Sequence, residues 1–120
     1  ERSREQIKDI LEDIADNLFN KDPYYQQGGD MVRVGGLKYA IDPTQTIGKR
    51  ITDMEVNGMA LDPKKTYLVS GWASMEPQTG GKPVWDIVAD YLRHKKTVKI
   101  TQPNLPKIKG IGSNPGLAPL

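Results

Sequence analysis

Apolar residues recur at helical spacing near the start of the chain: Ile7, Ile10, Leu11, Ile14 and Leu18 return every three or four positions and so share one face of an α-helix. Ser3, followed three residues later by Gln6, forms a capping-box pattern in which each side chain satisfies a free backbone amide. The spacing predicts a helix from about Arg4 to Asn20. Pro23 forbids its easy continuation and pushes Asp22 toward an extended conformation. The period then shortens. Met31 to Val34 and Leu37 to Ile41 read as strand pieces, and Gly35-Gly36 between them predicts a bulge or a close backbone approach.

After a turn at Asp42-Pro43, residues Arg50 to Val56 alternate, with Ile51, Met54 and Val56 as the apolar members. They lead into Asn57-Gly58, the strongest short hairpin signal because both residues tolerate positive φ. Met59 to Leu61 should return antiparallel. A turn at Asp62-Pro63 precedes Thr66 to Gly71, rich enough in β-branched and aromatic residues to predict a buried strand. Met75 to Pro83 is a loop by its Gly and Pro content. Pro83 suits the first turn of a second helix, where Val84, Ile87, Val88, Tyr91 and Leu92 make one apolar stripe through about Lys96. From Thr101 onward, Pro and Gly exclude regular structure for most of a tail that is expected to be extended or mobile. The order of helix, strands, helix and tail predicts an α+β fold: a mixed or antiparallel sheet with two main helices.

A chain of 120 residues suits one domain. With 37% hydrophobic and 27% charged residues it reads as soluble and folded, and it has no apolar run long enough to span a bilayer. The polar opening ERSREQIKDI has no signal-peptide core. The net charge of +2 is too small to argue for nucleic acid. Acids crowd the first helix at Glu5, Asp9, Glu12, Asp13 and Asp16. After Asp90 there are none, while Arg93, Lys95, Lys96, Lys99, Lys107 and Lys109 follow. Such an end reads as a solvated helix terminus and tail, or as a contact for an acidic partner.

Candidate chemistry concentrates in DPYYQQGGDMVRVGG, Asp22 to Gly36. A plain loop gains nothing from adjacent aromatics and amides, so this excess is site-like. Asp30, Arg33 and the Gly28 and Gly29 amides can form an anion-binding corner; equally, Arg33 can pair with Asp30 on the surface. Tyr24 and Tyr25 can stack on a ligand or pack on the first helix, and Gln26 and Gln27 can orient a ligand or face water. Trp72 and Trp85 bracket the Gly/Pro loop; Trp85 is expected in a core and Trp72 is the better candidate for a ligand wall. His94 is the only histidine, so a metal site built on it would be very incomplete and it reads as a solvated helix-end residue; with no cysteine there is no thiolate site. Ser70 and Ser74 lack a nucleophile elbow, and neither a P-loop nor a dinucleotide fingerprint occurs. The residues describe a binding surface without an evident catalytic engine.

The segments ADNLFNKDPYYQQGGDMVRVGG (15–36), GKPVWDIVADYLR (81–93) and GSNPGLA (112–118), with GKRITDMEVNGMALDPKKTYLVSGW between them, resemble the second half of the C-terminal domain of the 5'-nucleotidase and cyclic phosphodiesterase family. Within it they are most similar to the Sox-system sulfate thiohydrolases, SoxB. Ordinary nucleotidases carry a GGDGF loop whose aromatic stacks on the nucleobase; the corresponding region here reads GWASMEPQTGGKPVWD, which puts nucleotide binding in doubt. The resemblance implies a periplasmic enzyme of thiosulfate oxidation. Two manganese ions in an N-terminal metallophosphoesterase domain would activate water to release sulfate from a cysteine S-sulfonate on the C-terminal arm of a carrier protein (SoxYZ-like). On that reading the chain is an excised piece without metal or catalytic residues. Residues 1–100 are then a partial substrate-side domain and 101–120 the tail. Its partners are the carrier and its own N-terminal domain, with neither nucleic acid nor membrane. Arg33, Tyr24, Tyr25, Gln27, Asp30 and Trp72 are the candidate substrate-binding residues, chosen for their chemistry and position. A nucleotidase or other phosphoesterase domain, and a free-standing protein-interaction module, stay open as alternatives.

Overall fold

The capping box at Ser3 forms with both arms: the Gln6 N–H donates to Ser3 Oγ at 3.2 Å, and the Ser3 N–H donates to Gln6 Oε1 at 2.9 Å. In this computed structural model, which describes residues 1–71, 82–102 and 104–111, the first helix, α1, runs Arg4–Phe19. The row Ile7, Leu11 and Ala15, at i, i+4 steps, is buried. Ile14 and Leu18 are half-buried on its flank. Ile10, expected on the buried stripe, lies outside it at 48% exposure.

One compact unit comprises Glu1–Val69 with Asn104–Leu120. Its strands are β1 (Arg2–Ser3), β2 (Leu37–Ile41), β3 (Ile51–Val56), β4 (Met59–Ala60), β5 (Thr66–Tyr67) and β6 (Lys107–Ile108). They form a sheet in the order β4-β3-β2-β6 and a separate antiparallel pair, β1 with β5. The β3–β4 hairpin turns at Asn57-Gly58, with φ of 54° and 76°, as the dipeptide predicts. Tyr39, Ile41, Ile51, Met54 and Leu61 close on Ile7, Leu11 and Ala15 to make the core, each large side chain contributing roughly 1.5–3 kcal/mol by its removal from water.

Three expectations change. Met31 to Val34 is not a strand: no neighbour pairs with it, and Gly28, Gly29 and Gly36 take φ of 79°, 100° and 79°, which breaks extended geometry at both ends. Met31 and Val34 nevertheless pack on the core. The bulge is in β3, where register with β2 shifts between Lys38↔Glu55 and Ala40↔Thr52. The extra residue is Asp53-Met54's, and Asp53 adopts φ +53° to make it. The Thr66 to Gly71 strand stops at Tyr67 because its partner β1 is only two residues long; Leu68 and Val69 are exposed.

Within the tail, Lys107–Ile108 forms a short strand. β6 lies parallel to β2 with Ala40↔Lys107 and Ile41↔Ile108 in register, and the Lys109 N–H donates to the Ile41 carbonyl at 2.7 Å. Lys109 Nζ then donates to Asp53 Oδ2 at 2.6 Å and to Thr52 Oγ1 at 3.1 Å, so the tail holds the bulge.

A second unit, Ser70–Pro103, contains α2, Val84–Lys95. Pro83 stands at its cap, Asp86 is in the first turn, and Arg93, His94 and Lys95 are in the last, which complements the helix dipole. Trp85, expected in a core, is exposed. Among the described residues no helix is long and apolar enough to cross a membrane. The two helices and the mixed sheet make the fold α+β.

Candidate functional site

The site-like segment leaves from the end of α1, and that end is fixed from below by a buried cation. Arg50, only 2% exposed, donates through Nη1 to Asp16 Oδ1 at 2.7 Å and through Nη2 to the Phe19 carbonyl at 2.9 Å. A guanidinium at a helix C-terminus meets carbonyls that have no partner within the helix. Arg50 Nε is buried without a hydrogen-bond partner. The Arg50 hydrogen bond, assisted by one from Asn20, holds the Asp16 carboxyl below its ordinary value of 3.8.

From Asp16 the contacts run outward. Asn20 Nδ2 donates to Asp16 Oδ2 at 2.8 Å, the Asp22 N–H donates to Asn20 Oδ1 at 3.0 Å, and the Tyr24 N–H donates to Asp22 Oδ1 at 3.0 Å. Asp22 thereby caps a single 3-10 turn, Pro23–Tyr25, with proline in the first helical position, where its missing N–H costs nothing. Gln26 Nε2 returns to the Asn20 carbonyl at 2.7 Å. The segment after Asn20 is therefore positioned by a run of side-chain-to-backbone bonds rooted in the core.

The predicted site residues fall on the outer face of this anchored loop. The Tyr24 and Tyr25 rings meet edge to face, 5.4 Å between centroids and 89° between planes. They are 87% and 60% exposed, so neither packs on α1. Gln26 serves as a brace, while Gln27 is exposed. Asp30 and Arg33 are both exposed, and no ion pair joins them. Met31 and Val34, three residues apart, turn to the core, and Val32 and Arg33 between them turn to solvent. The expected anion corner is reduced, because the Gly28 N–H already donates to the Asn17 carbonyl at 3.1 Å. Trp72 and the loop to Gly81 lie outside the described residues.

The residues that position this loop escaped notice in the sequence. Glu12 and Asp16 belong to an acid-rich helix that reads as a solvated face, yet Glu12 is 3% exposed. Its Oε1 accepts the Ile51 N–H at 2.7 Å and its Oε2 the Gly48 N–H at 2.8 Å. The available signal is the spacing: Glu12 and Asp16 adjoin Leu11 and Ala15 on the apolar stripe, where an unpaired carboxylate would be costly. Among the described residues, no three His, Cys, Asp or Glu side chains come together as a metal site. The residues here do not fit a manganese centre, and no chemical step is assigned to one.

The described side chains thus offer two exposed aromatic rings, a primary amide and an unpaired guanidinium on one braced loop. That set can bind and orient an anionic or extended ligand. It holds no nucleophile placed beside a base.

A sequence model of the 5'-nucleotidase C-terminal domain matches residues 5–90. Among solved structures, the chain is similar to one described as "Termus thermophilus Sulfate thiohydrolase SoxB in complex with glycerol", with 40% identity and a TM-score of 0.65 over 91% of this chain. The match spans 21% of that protein's length. No curated protein is similar enough to count as a match. By the extent of the sequence match, and with an α+β fold to agree, this chain belongs to the 5'-nucleotidase C-terminal domain family.

Proposed function

We propose that this chain is the substrate-side portion of a SoxB-type sulfate thiohydrolase, a hydrolase in which metal ions held elsewhere in the same polypeptide would supply the activated water. The observation that carries the reading is the 40% identity to SoxB across 91% of the chain. The substrate is a cysteine S-sulfonate on the C-terminal arm of a carrier protein, in periplasmic thiosulfate oxidation, with two manganese ions in an N-terminal metallophosphoesterase domain. Arg33 offsets sulfonate charge. Tyr24 and Tyr25 line the path of the arm, and Gln27 and Asp30 hydrogen-bond to its backbone. None of these residues transfers a proton or forms a bond to sulfur.

The family as a whole supports a second reading, a phosphoesterase acting on nucleotides. The two are separated with the full-length protein, supplied with manganese and offered either carrier-bound S-sulfonate or a nucleoside monophosphate. Sulfate release supports the thiohydrolase, and preferential phosphate release overturns it. The 120-residue chain alone should hydrolyse neither; robust manganese-dependent turnover by it would place the catalytic centre in the wrong part of the protein.

A further inference from the structure

Asn20, the residue that ends α1, stands between two groups that leave its amide one orientation. On one side is the Asp16 carboxylate, which its hydrogen bond from Arg50 keeps ionised and which can therefore only accept. On the other is the Asp22 N–H, which can only donate. The Asn20 Nδ2 group faces the first at 2.8 Å and its Oδ1 the second at 3.0 Å. Asp16 is itself fixed by Arg50 Nη1 at 2.7 Å, and Arg50 is held by the Phe19 carbonyl at 2.9 Å from Nη2. Hydrogen-bond polarity thus alternates without a break from a buried guanidinium to the Asp22 amide. Beyond it, Asp22 Oδ1 accepts the Tyr24 N–H, and the Asn20 carbonyl accepts from Gln26 Nε2.

We propose that Asp16 and Asn20 are positioning residues for substrate: Asp16 sets which way the Asn20 amide faces, and that orientation holds the Pro23–Tyr25 turn in its binding geometry. The inference rests on the reading of Tyr24, Tyr25 and Gln27 as part of a substrate path, and neither positioning residue touches the substrate. A loop held before its ligand arrives loses less freedom on binding, so the effect falls on affinity. A generic helix-end brace needs only a polar side chain at each position, whereas this one needs an acceptor at 16 and a donor with an acceptor at 20. Asp16→Asn breaks the order. The new amide must keep its oxygen toward Arg50, so its NH2 meets Asn20 Nδ2; if Asn20 turns over to accept, its own NH2 confronts the Asp22 N–H, donor against donor. Asn20→Asp fails differently, by setting carboxylate against carboxylate. Making both changes together restores every donor–acceptor pair from Arg50 to Asp22. It leaves the charge beside Arg50 missing, so the swapped pair stays less stable than wild type while its loop is held.

The test uses the full-length protein with Asp16→Asn, Asn20→Asp and the swapped pair. Hydrogen exchange resolved to single amides across residues 20–28 reads the loop, and steady-state kinetics on carrier-bound S-sulfonate read its use. Each single variant should speed exchange at the Asp22 and Tyr24 amides about 10-fold and raise KM about 10-fold with kcat unchanged, as when uniform binding is lost. The swapped pair should bring both back to within ~3-fold of wild type, although its melting temperature stays lower, a rescue that a merely structural role does not give. Losses that add in the swapped pair overturn the proposal, as does a KM unmoved by single variants that do loosen the loop. If a single variant does not fold, the swapped pair decides alone: rates and KM near wild type support the proposal, and losses of about 10-fold or more overturn it. The amide readout needs no substrate. Wild-type protein that releases phosphate in preference to sulfate therefore sinks the thiohydrolase reading, while the amide rates still decide whether Asp16 and Asn20 hold the loop.

Discussion

Replacing Glu12 with alanine should be among the most damaging single changes in this chain. Its two carboxylate oxygens accept the backbone N–H groups of Ile51 and Gly48 at 2.7 and 2.8 Å, and the side chain is 3% exposed. Hydrogen bonds to a charged group contribute about 1.5–3 kcal/mol each, so deletion of both removes roughly 3–6 kcal/mol before relaxation. Water entering the vacated space recovers part of that, leaving an expected loss of about 3 kcal/mol. Against a total of about 5–15 kcal/mol for a domain, this is a large share. In equilibrium urea unfolding followed by circular dichroism, the midpoint should fall by about 1–2 M, given a slope of roughly 1.5–3 kcal/mol/M. Glu12→Gln, which keeps one acceptor and turns an amide N–H toward the other donor, should lose about half as much. Asp13→Ala, on the exposed side of the same turn, should stay within ~0.5 kcal/mol. A Glu12→Ala variant no less stable than Asp13→Ala would refute the idea that this carboxylate docks α1 onto the start of β3.

Further outcomes follow from the same geometry. Asp16 has its carboxyl held below the ordinary 3.8 by Arg50 and Asn20, so its stabilisation is fully present above that value and is lost as pH falls through the lower folded-state value. Asp42 and Asp53 are lowered too; hence the readout is the difference between wild type and Asp16→Asn across about pH 2–6, where the variant should show a flatter acid limb, and identical limbs contradict the pairing. Gly110 takes φ +76°, and a Cβ there would sit 2.5 Å from Asp42 Oδ1, an oxygen already accepting from the Thr44 N–H and hydroxyl; Gly110→Ala should therefore cost about 1–3 kcal/mol in thermal unfolding, and an unchanged melt rules this out. Arg33→Ala in the full-length protein should lower kcat/KM about 10-fold or more, the loss of one charge-assisted hydrogen bond, while the melting curve stays put. Unchanged kinetics would make Arg33 an ordinary surface residue.

What the sequence disclosed was local. The Ser3 capping box and the Asn57-Gly58 hairpin involve neighbours in the chain, and both appear where the residue types place them. The features it concealed are held from a distance. Asp53 accepts left-handed backbone geometry because Lys109, 56 positions away, pairs with its carboxylate. Glu12 answers two backbone amides 36 and 39 positions on, and backbone donors leave no mark in a side-chain pattern. The choice of a candidate loop came from the sequence, since adjacent tyrosines and glutamines beside an arginine are unusual in themselves; whether Arg33 pairs with Asp30 was open there, and among the described residues no ion pair joins them. Its support was not: the Arg50–Asp16–Asn20–Asp22 run of contacts joins residues that look unrelated until α1 and β3 are packed together. The apolar residues of Met31 to Val34 misled: Met31 and Val34 pack on the core three positions apart, and among the described residues no strand pairs with the segment.

The most direct test is a comparison of products from the full-length, manganese-supplied protein. With carrier-bound cysteine S-sulfonate and a nucleoside monophosphate offered at equal concentration, sulfate should be the dominant product, and Arg33→Ala should depress its release. Phosphate as the dominant product, or sulfate release indifferent to Arg33, Tyr24 and Tyr25 together, would contradict the assignment of this chain as the substrate-side portion of a thiohydrolase.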